Sequence, residues 1–139
     1  MTKYILAFAV ILCCGAIHGE DNSYRDANGH ITGYKNEHGN QSTYRDSYGH
    51  ITGYSTRNGD TTTYRDSRGH ITGYKTTNGS GTTTYRDARG HITGYSSDNG
   101  STTTYRDSRG HITGYSSEHN GTTTYRDSSG RIKGYKNER

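Results

Sequence analysis

Leucine, valine, phenylalanine and cysteine are confined to the first nineteen of 139 residues, as Leu6, Phe8, Val10, Leu12, Cys13 and Cys14. Beyond them the chain holds 13 Tyr, 6 Ile and 2 Ala, so only 21 of 120 positions are apolar or aromatic. That density excludes a conventional aliphatic core and overlaps the composition of disordered chains. Disulfides cannot staple a segment that has no cysteine. Catalytic signatures are missing too: there is no Gly-x-Ser-x-Gly, no His-Glu-x-x-His and no phosphate loop. Residues that recur in every copy of a repeat are better accounted for by packing than by one active site. The reading is therefore non-enzymatic, with no cofactor.

The amino-terminal segment has the anatomy of a signal peptide. Lys3 supplies the positive charge, residues 4–14 an apolar run, and residues 15–19 a small-residue exit with Ile17 and Gly19 at plausible minus-3 and minus-1 positions. The run is shorter than the roughly 18 residues a spanning helix needs. We therefore expect a cleaved leader over 1–19 and a repeat domain over 20–139. The product would be secreted, periplasmic or held at the cell surface, with no membrane span after cleavage. Its 16 Lys and Arg against 13 Asp and Glu leave a net charge of +3.

The exported part is an internal repeat. Tyr-Arg-Asp recurs at Tyr24, Tyr44, Tyr64, Tyr85, Tyr105 and Tyr125, giving six units of 20 or 21 residues. A second Tyr follows each first one by ten residues, at Tyr34, Tyr54, Tyr74, Tyr95, Tyr115 and Tyr135. Gly falls five residues after nearly every Tyr, so the underlying period is a decapeptide. Thr, Tyr and Ile favour extended chain and Asn-Gly favours positive φ, so each decapeptide reads as one strand and one tight turn.

The expected turns are four-residue type I turns with Gly in the left-handed position, alternately Asp66-Ser67-Arg68-Gly69 and Thr76-Thr77-Asn78-Gly79. Simple pairing from Asp66 and His70 sets Arg65 opposite Ile71, Tyr64 opposite Thr72 and Thr62 opposite Tyr74, and sets Tyr54 opposite Thr62. All repeat tyrosines then share one face with Thr, and Arg and Ile form a cross-strand row on the other, with pairs worth about 0.2–1 kcal/mol each. The Gly before each second Tyr leaves a bare strip for a neighbouring ring, or a bend point. The fold class is all-β: an antiparallel β-hairpin meander of about twelve short strands, near 55 Å wide at about 4.8 Å per strand or curling towards a barrel. The alternative is a β-solenoid with 20-residue coils.

The motif Thr-Thr-Thr-Tyr-Arg-Asp-Ser-Arg-Gly-His-Ile at 61–71 resembles the YD repeats of bacterial RHS and cell-wall-associated proteins. Tyr64, Asp66, Gly69, His70 and Ile71 occupy the motif positions, with Arg65 inserted between Tyr and Asp. The resemblance implies β-hairpin architecture at a cell surface. Six copies are too few for the toxin-enclosing shell of that family, so encapsulation does not carry over.

Asp and His recur as expected cross-strand partners, from Asp26 with His30 to Asp107 with His111, and Arg131 replaces His in the last unit. Equivalent His lie two strands apart, about 10 Å, too far to share a metal ion, so a charge-assisted pair beside a turn is the better reading. Nucleic-acid binding draws on the pI of 9.1, yet an Asp follows every Tyr-Arg and the chain is exported. The leading expectation is a surface or extracellular structural or interaction module. Its rival is a carbohydrate-binding protein using a repeated Tyr face, with Tyr44, Tyr54, Tyr64, Tyr74, Tyr85, Tyr95, Tyr105 and Tyr115 as ligand-binding candidates and glycans or a second copy as partners. Two further readings are ice binding by the Thr triplets on a flat solenoid, and fibre formation through unpaired end strands such as 124–127 with 131–136.

Overall fold

The computed structural model describes residues 21–138; the expected leader over 1–19 lies outside the described residues. Twelve strands run in chain order: β1 Asp21–Asp26, β2 Ile31–His38, β3 Gln41–Asp46, β4 Ile51–Asn58, β5 Thr61–Asp66, β6 Ile71–Thr77, β7 Thr82–Asp87, β8 Ile92–Asp98, β9 Thr102–Asp107, β10 Ile112–His119, β11 Thr122–Asp127 and β12 Ile132–Glu138. Each pairs antiparallel with its sequence neighbours, as the meander reading expects, and β12 pairs with β1 to close a barrel. The solenoid alternative is thereby overturned, and with it the flat hydroxyl array that ice binding required. The end strands are not free edges either, so the fibre route through them is withdrawn.

The turn after each Tyr-Arg-Asp forms where expected. In the third unit the Asp66 N–H donates to the His70 carbonyl at 2.9 Å and the Gly69 N–H donates to the Asp66 carbonyl at 3.0 Å. Gly69 has φ 89°, a left-handed conformation that a Cβ would strain. The other connectors differ from expectation. His38 pairs with Gln41, Asn58 with Thr61 and His119 with Thr122, leaving two-residue loops. In the loop from β6 to β7 the turn runs Asn78-Gly79-Ser80-Gly81, two residues later than Thr76-Thr77-Asn78-Gly79, and the extra Gly81 lengthens that unit.

One residue per unit corrects the expected register. Arg65 does stand opposite Ile71, but the next pair is Tyr64 with Gly73, so Thr72 is the extra residue of a β-bulge. The same shift occurs in all six Asp-turn hairpins. A one-residue slip moves every later side chain of that strand to the opposite face. The repeat tyrosines therefore do not share one face. The first Tyr of each unit points inward and the second outward, and Tyr54 stands opposite Arg65 rather than Thr62.

Bulges and glycines bend a sheet, and six evenly spaced bulges curl a sheet of this width into a closed wall. Each inward Tyr has a buried Gly as its register partner on the next strand: Gly33, Gly53, Gly73, Gly94, Gly114 and Gly134. A Cβ on Gly53 would lie 2.5 Å from the Arg65 carbonyl oxygen. Glycine there is imposed by close backbone approach.

Candidate functional site

The lumen is tyrosine-filled but polar. Tyr44, Tyr64, Tyr85, Tyr105 and Tyr125 are its buried apolar content. Tyr44 and Tyr64 approach with ring centroids 6.4 Å apart, tilted by 41°. Two residues beyond each bulge-side Gly comes a second inward position, occupied in order by Lys35, Ser55, Lys75, Ser96, Ser116 and Lys136. Where it is Ser it holds a phenol: Tyr44 with Ser55 at 3.1 Å, Tyr85 with Ser96 at 3.1 Å and Tyr105 with Ser116 at 3.0 Å. Where it is Lys35 or Lys136, the ammonium donates to Glu37 or Glu138, two residues further along its own strand. Burial of a cation is offset by such a partner.

At the connector end the lumen opens into a cavity of about 90 Å³. That is room for about three waters, or a solute of a few heavy atoms. Its lining includes Thr83, Thr103 and Thr123, the phenols of Tyr85, Tyr105 and Tyr125, and the acids Asp98 and Glu118. Asp98 Oδ1 is sealed from solvent without a hydrogen-bond partner. Lys136 lines it as well, so hydroxyls that both donate and accept, two carboxylates and an ammonium share the wall.

The eight tyrosine candidates divide evenly. Tyr44, Tyr64, Tyr85 and Tyr105 are inside and buried, out of reach of a large ligand. Tyr54, Tyr74, Tyr95 and Tyr115 lie on the outer wall, half-buried. Each outer ring has matching register partners. Tyr54 stands between Thr43 and Arg65, Tyr74 between Thr63 and Arg86, and Tyr95 between Thr84 and Arg106. Tyr34, Tyr115 and Tyr135 complete this belt, with Ser23 in the place of Thr beside Tyr34.

The Asp turns ring the opposite end. Asp66 Oδ1 accepts from the backbone N–H groups of Arg68 and His70, both at 2.9 Å, and Oδ2 lies 3.2 Å from His70 Nδ1. Desolvation works to raise the Asp66 carboxyl, but the His70 N–H, the His70 ring and the Arg68 N–H together hold it below its ordinary value. The same balance lowers Asp26, Asp46, Asp87 and Asp107, whereas the Ser129 hydroxyl is the leading cause at Asp127. The strand arginine also serves the turn: Arg65 Nη1 donates to the Gly69 carbonyl at 3.0 Å. Among the described residues no three metal-ligating side chains converge.

The lumen lysines and serines escaped the sequence reading, because without the bulge their positions fall outside. The signal was present in the strict Lys-or-Ser choice after each second Tyr. No family model matches the chain, and no curated protein or solved structure matches it either.

Proposed function

We propose that this chain is an exported, non-enzymatic interaction module, acting outside the cell or at its surface, that grips a repetitive partner through the belt of outer tyrosines. The carrying observation is equivalence: six rings around one closed wall, each flanked by Arg on one side. The rings with Arg and Thr neighbours suit carbohydrate, since flat rings stack on sugar faces while neighbouring hydroxyl groups bond the sugar hydroxyls. Weak sites repeated on one rigid body gain by multivalency. Arg45, Arg65, Arg86 and Arg106 on the outer wall suit water, since a lipid-facing barrel presents an apolar band there. Among the described residues no helix is long and apolar enough to cross a membrane. The YD-like motif residues Tyr64, Asp66, Gly69, His70 and Ile71 build one hairpin per unit, in keeping with a surface role.

The test is a broad glycan array probed with residues 20–139, alongside the fourfold variant Tyr54→Ala, Tyr74→Ala, Tyr95→Ala and Tyr115→Ala. Saturable binding that the variant loses is expected. Absence of binding across the panel, or binding that the variant retains, overturns the carbohydrate reading.

A further inference from the structure

The two ends of the barrel differ in charge. Arg25, Arg45, Arg65, Arg86, Arg106 and Arg126 each donate to a turn glycine carbonyl, which draws six guanidinium groups to the Asp-turn end. Arg68, Arg89, Arg109, Arg131 and Lys133 are exposed at the same end. Eleven cations thus face six turn aspartates there, an excess of five. The opposite end carries Glu37, Asp60, Asp98, Glu118 and Glu138 with Arg57, and two of those acids are paired to lumen lysines.

The six strand arginines form a ring in one plane, and the five excess cations, Arg68, Arg89, Arg109, Arg131 and Lys133, sit on the third to sixth units of it. The register between hairpins is the same all the way round: Asp26 opposite Gly134 at the closure matches Asp46 opposite Gly33 and Asp66 opposite Gly53. Equal stagger at each step sets all six turn tips at one height. A linear polyanion could touch such a ring only along a chord, whereas a flat anionic surface meets every tip at once. We infer that the Asp-turn end docks flat on a surface of acidic phospholipid headgroups. Each Arg or Lys near such a surface contributes about 1 kcal/mol, roughly fivefold in affinity. The attraction weakens as the screening length falls from about 30 Å at 0.01 M salt to about 10 Å at 0.1 M.

The experiment is co-sedimentation of residues 20–139 with vesicles of phosphatidylcholine containing about one third phosphatidylglycerol, at low and at physiological salt. Binding is expected at low salt, weakened by added salt and missing with phosphatidylcholine alone. The variant Arg68→Ser, Arg89→Ser and Arg109→Ser carries the residue that the sixth unit has there, Ser129. It should bind about a hundredfold more weakly, three charges at about fivefold each. A second variant, Asn58→Asp, Asn99→Asp and Ser101→Asp, makes the same change in net charge at exposed sites on the other end and should bind like the parent. Equal loss in both variants, no vesicle binding at low salt, or tight heparin binding without vesicle binding overturns the inference. The outer-belt tyrosine variant should leave vesicle binding unchanged, which separates this proposal from the carbohydrate reading.

Discussion

The hydroxyls of Tyr85 and Ser96 meet at 3.1 Å inside the barrel, on neighbouring strands of one hairpin. A buried phenol needs such a partner, and small Ser leaves the ring room to lie in the lumen. Tyr85→Phe should therefore cost about 0.5–1.5 kcal/mol in urea unfolding, while Tyr95→Phe on the outer wall should stay within about 0.5 kcal/mol. Equal effects would mean that the lumen phenol contributes nothing specific.

Gly53 and Gly79 should part company. A Cβ at Gly53 meets the Arg65 carbonyl oxygen at 2.5 Å, whereas nothing lies within 4 Å of one at Gly79. Gly53→Ala is expected to destabilise by about 1–3 kcal/mol and Gly79→Ala by less than about 0.5 kcal/mol, read from urea midpoints.

Acid should weaken the barrel in a definite window. The carboxyls of Asp26, Asp46, Asp66, Asp87, Asp107 and Asp127 are all held below their ordinary value in the folded chain. Their stabilisation is fully present above the unfolded value near 3.9 and is lost as pH falls through the lower folded values. The urea midpoint should accordingly fall below about pH 4. Asp66→Asn should reduce that slope yet keep the turn, because Asn78 caps its own turn the same way: its Oδ1 accepts from Ser80 N–H at 3.2 Å and Thr82 N–H at 3.0 Å. An unchanged slope in Asp66→Asn would refute this.

Asn120 is the non-glycine residue with positive φ among those described, at 50°, followed by Gly121 at 73°. Two successive positive φ values are what a two-residue hairpin loop of type I′ requires. Asn120→Val should destabilise by about 1–2 kcal/mol, since a β-branched side chain is strained there. Asn120→Gly should be tolerated. Thermal melts of both variants decide it.

The strands, the Asp turns and the hairpin order could be read from the repeat because each rests on local chemistry: Asn and Asp beside Gly at the turns, Thr and Tyr between them. Sidedness could not. It hinges on Thr72 and its equivalents standing extra in the ladder, and nothing in the residue type of Thr announces a bulge. That single residue sends Tyr74 outward and brings Lys75 into the lumen. Closure likewise depends on the summed curvature of six hairpins, a property of the whole array. The outer half of the tyrosine candidates emerged as a belt, and the inner half became the packing of the barrel.

Where β1 meets β12, Tyr24 stands opposite Lys136 and Arg25 opposite Tyr135; within the chain Tyr64 stands opposite Ser55 and Arg65 opposite Tyr54. The seam is thus a hairpin without its loop. No unit is structurally first or last, and a chain reopened at the Gly59-Asp60 loop and joined across the seam would trace the same wall. Copy number becomes the dial that sets the bore: five units would make ten strands and crowd the inward rings, while seven would make fourteen and leave a water-filled channel.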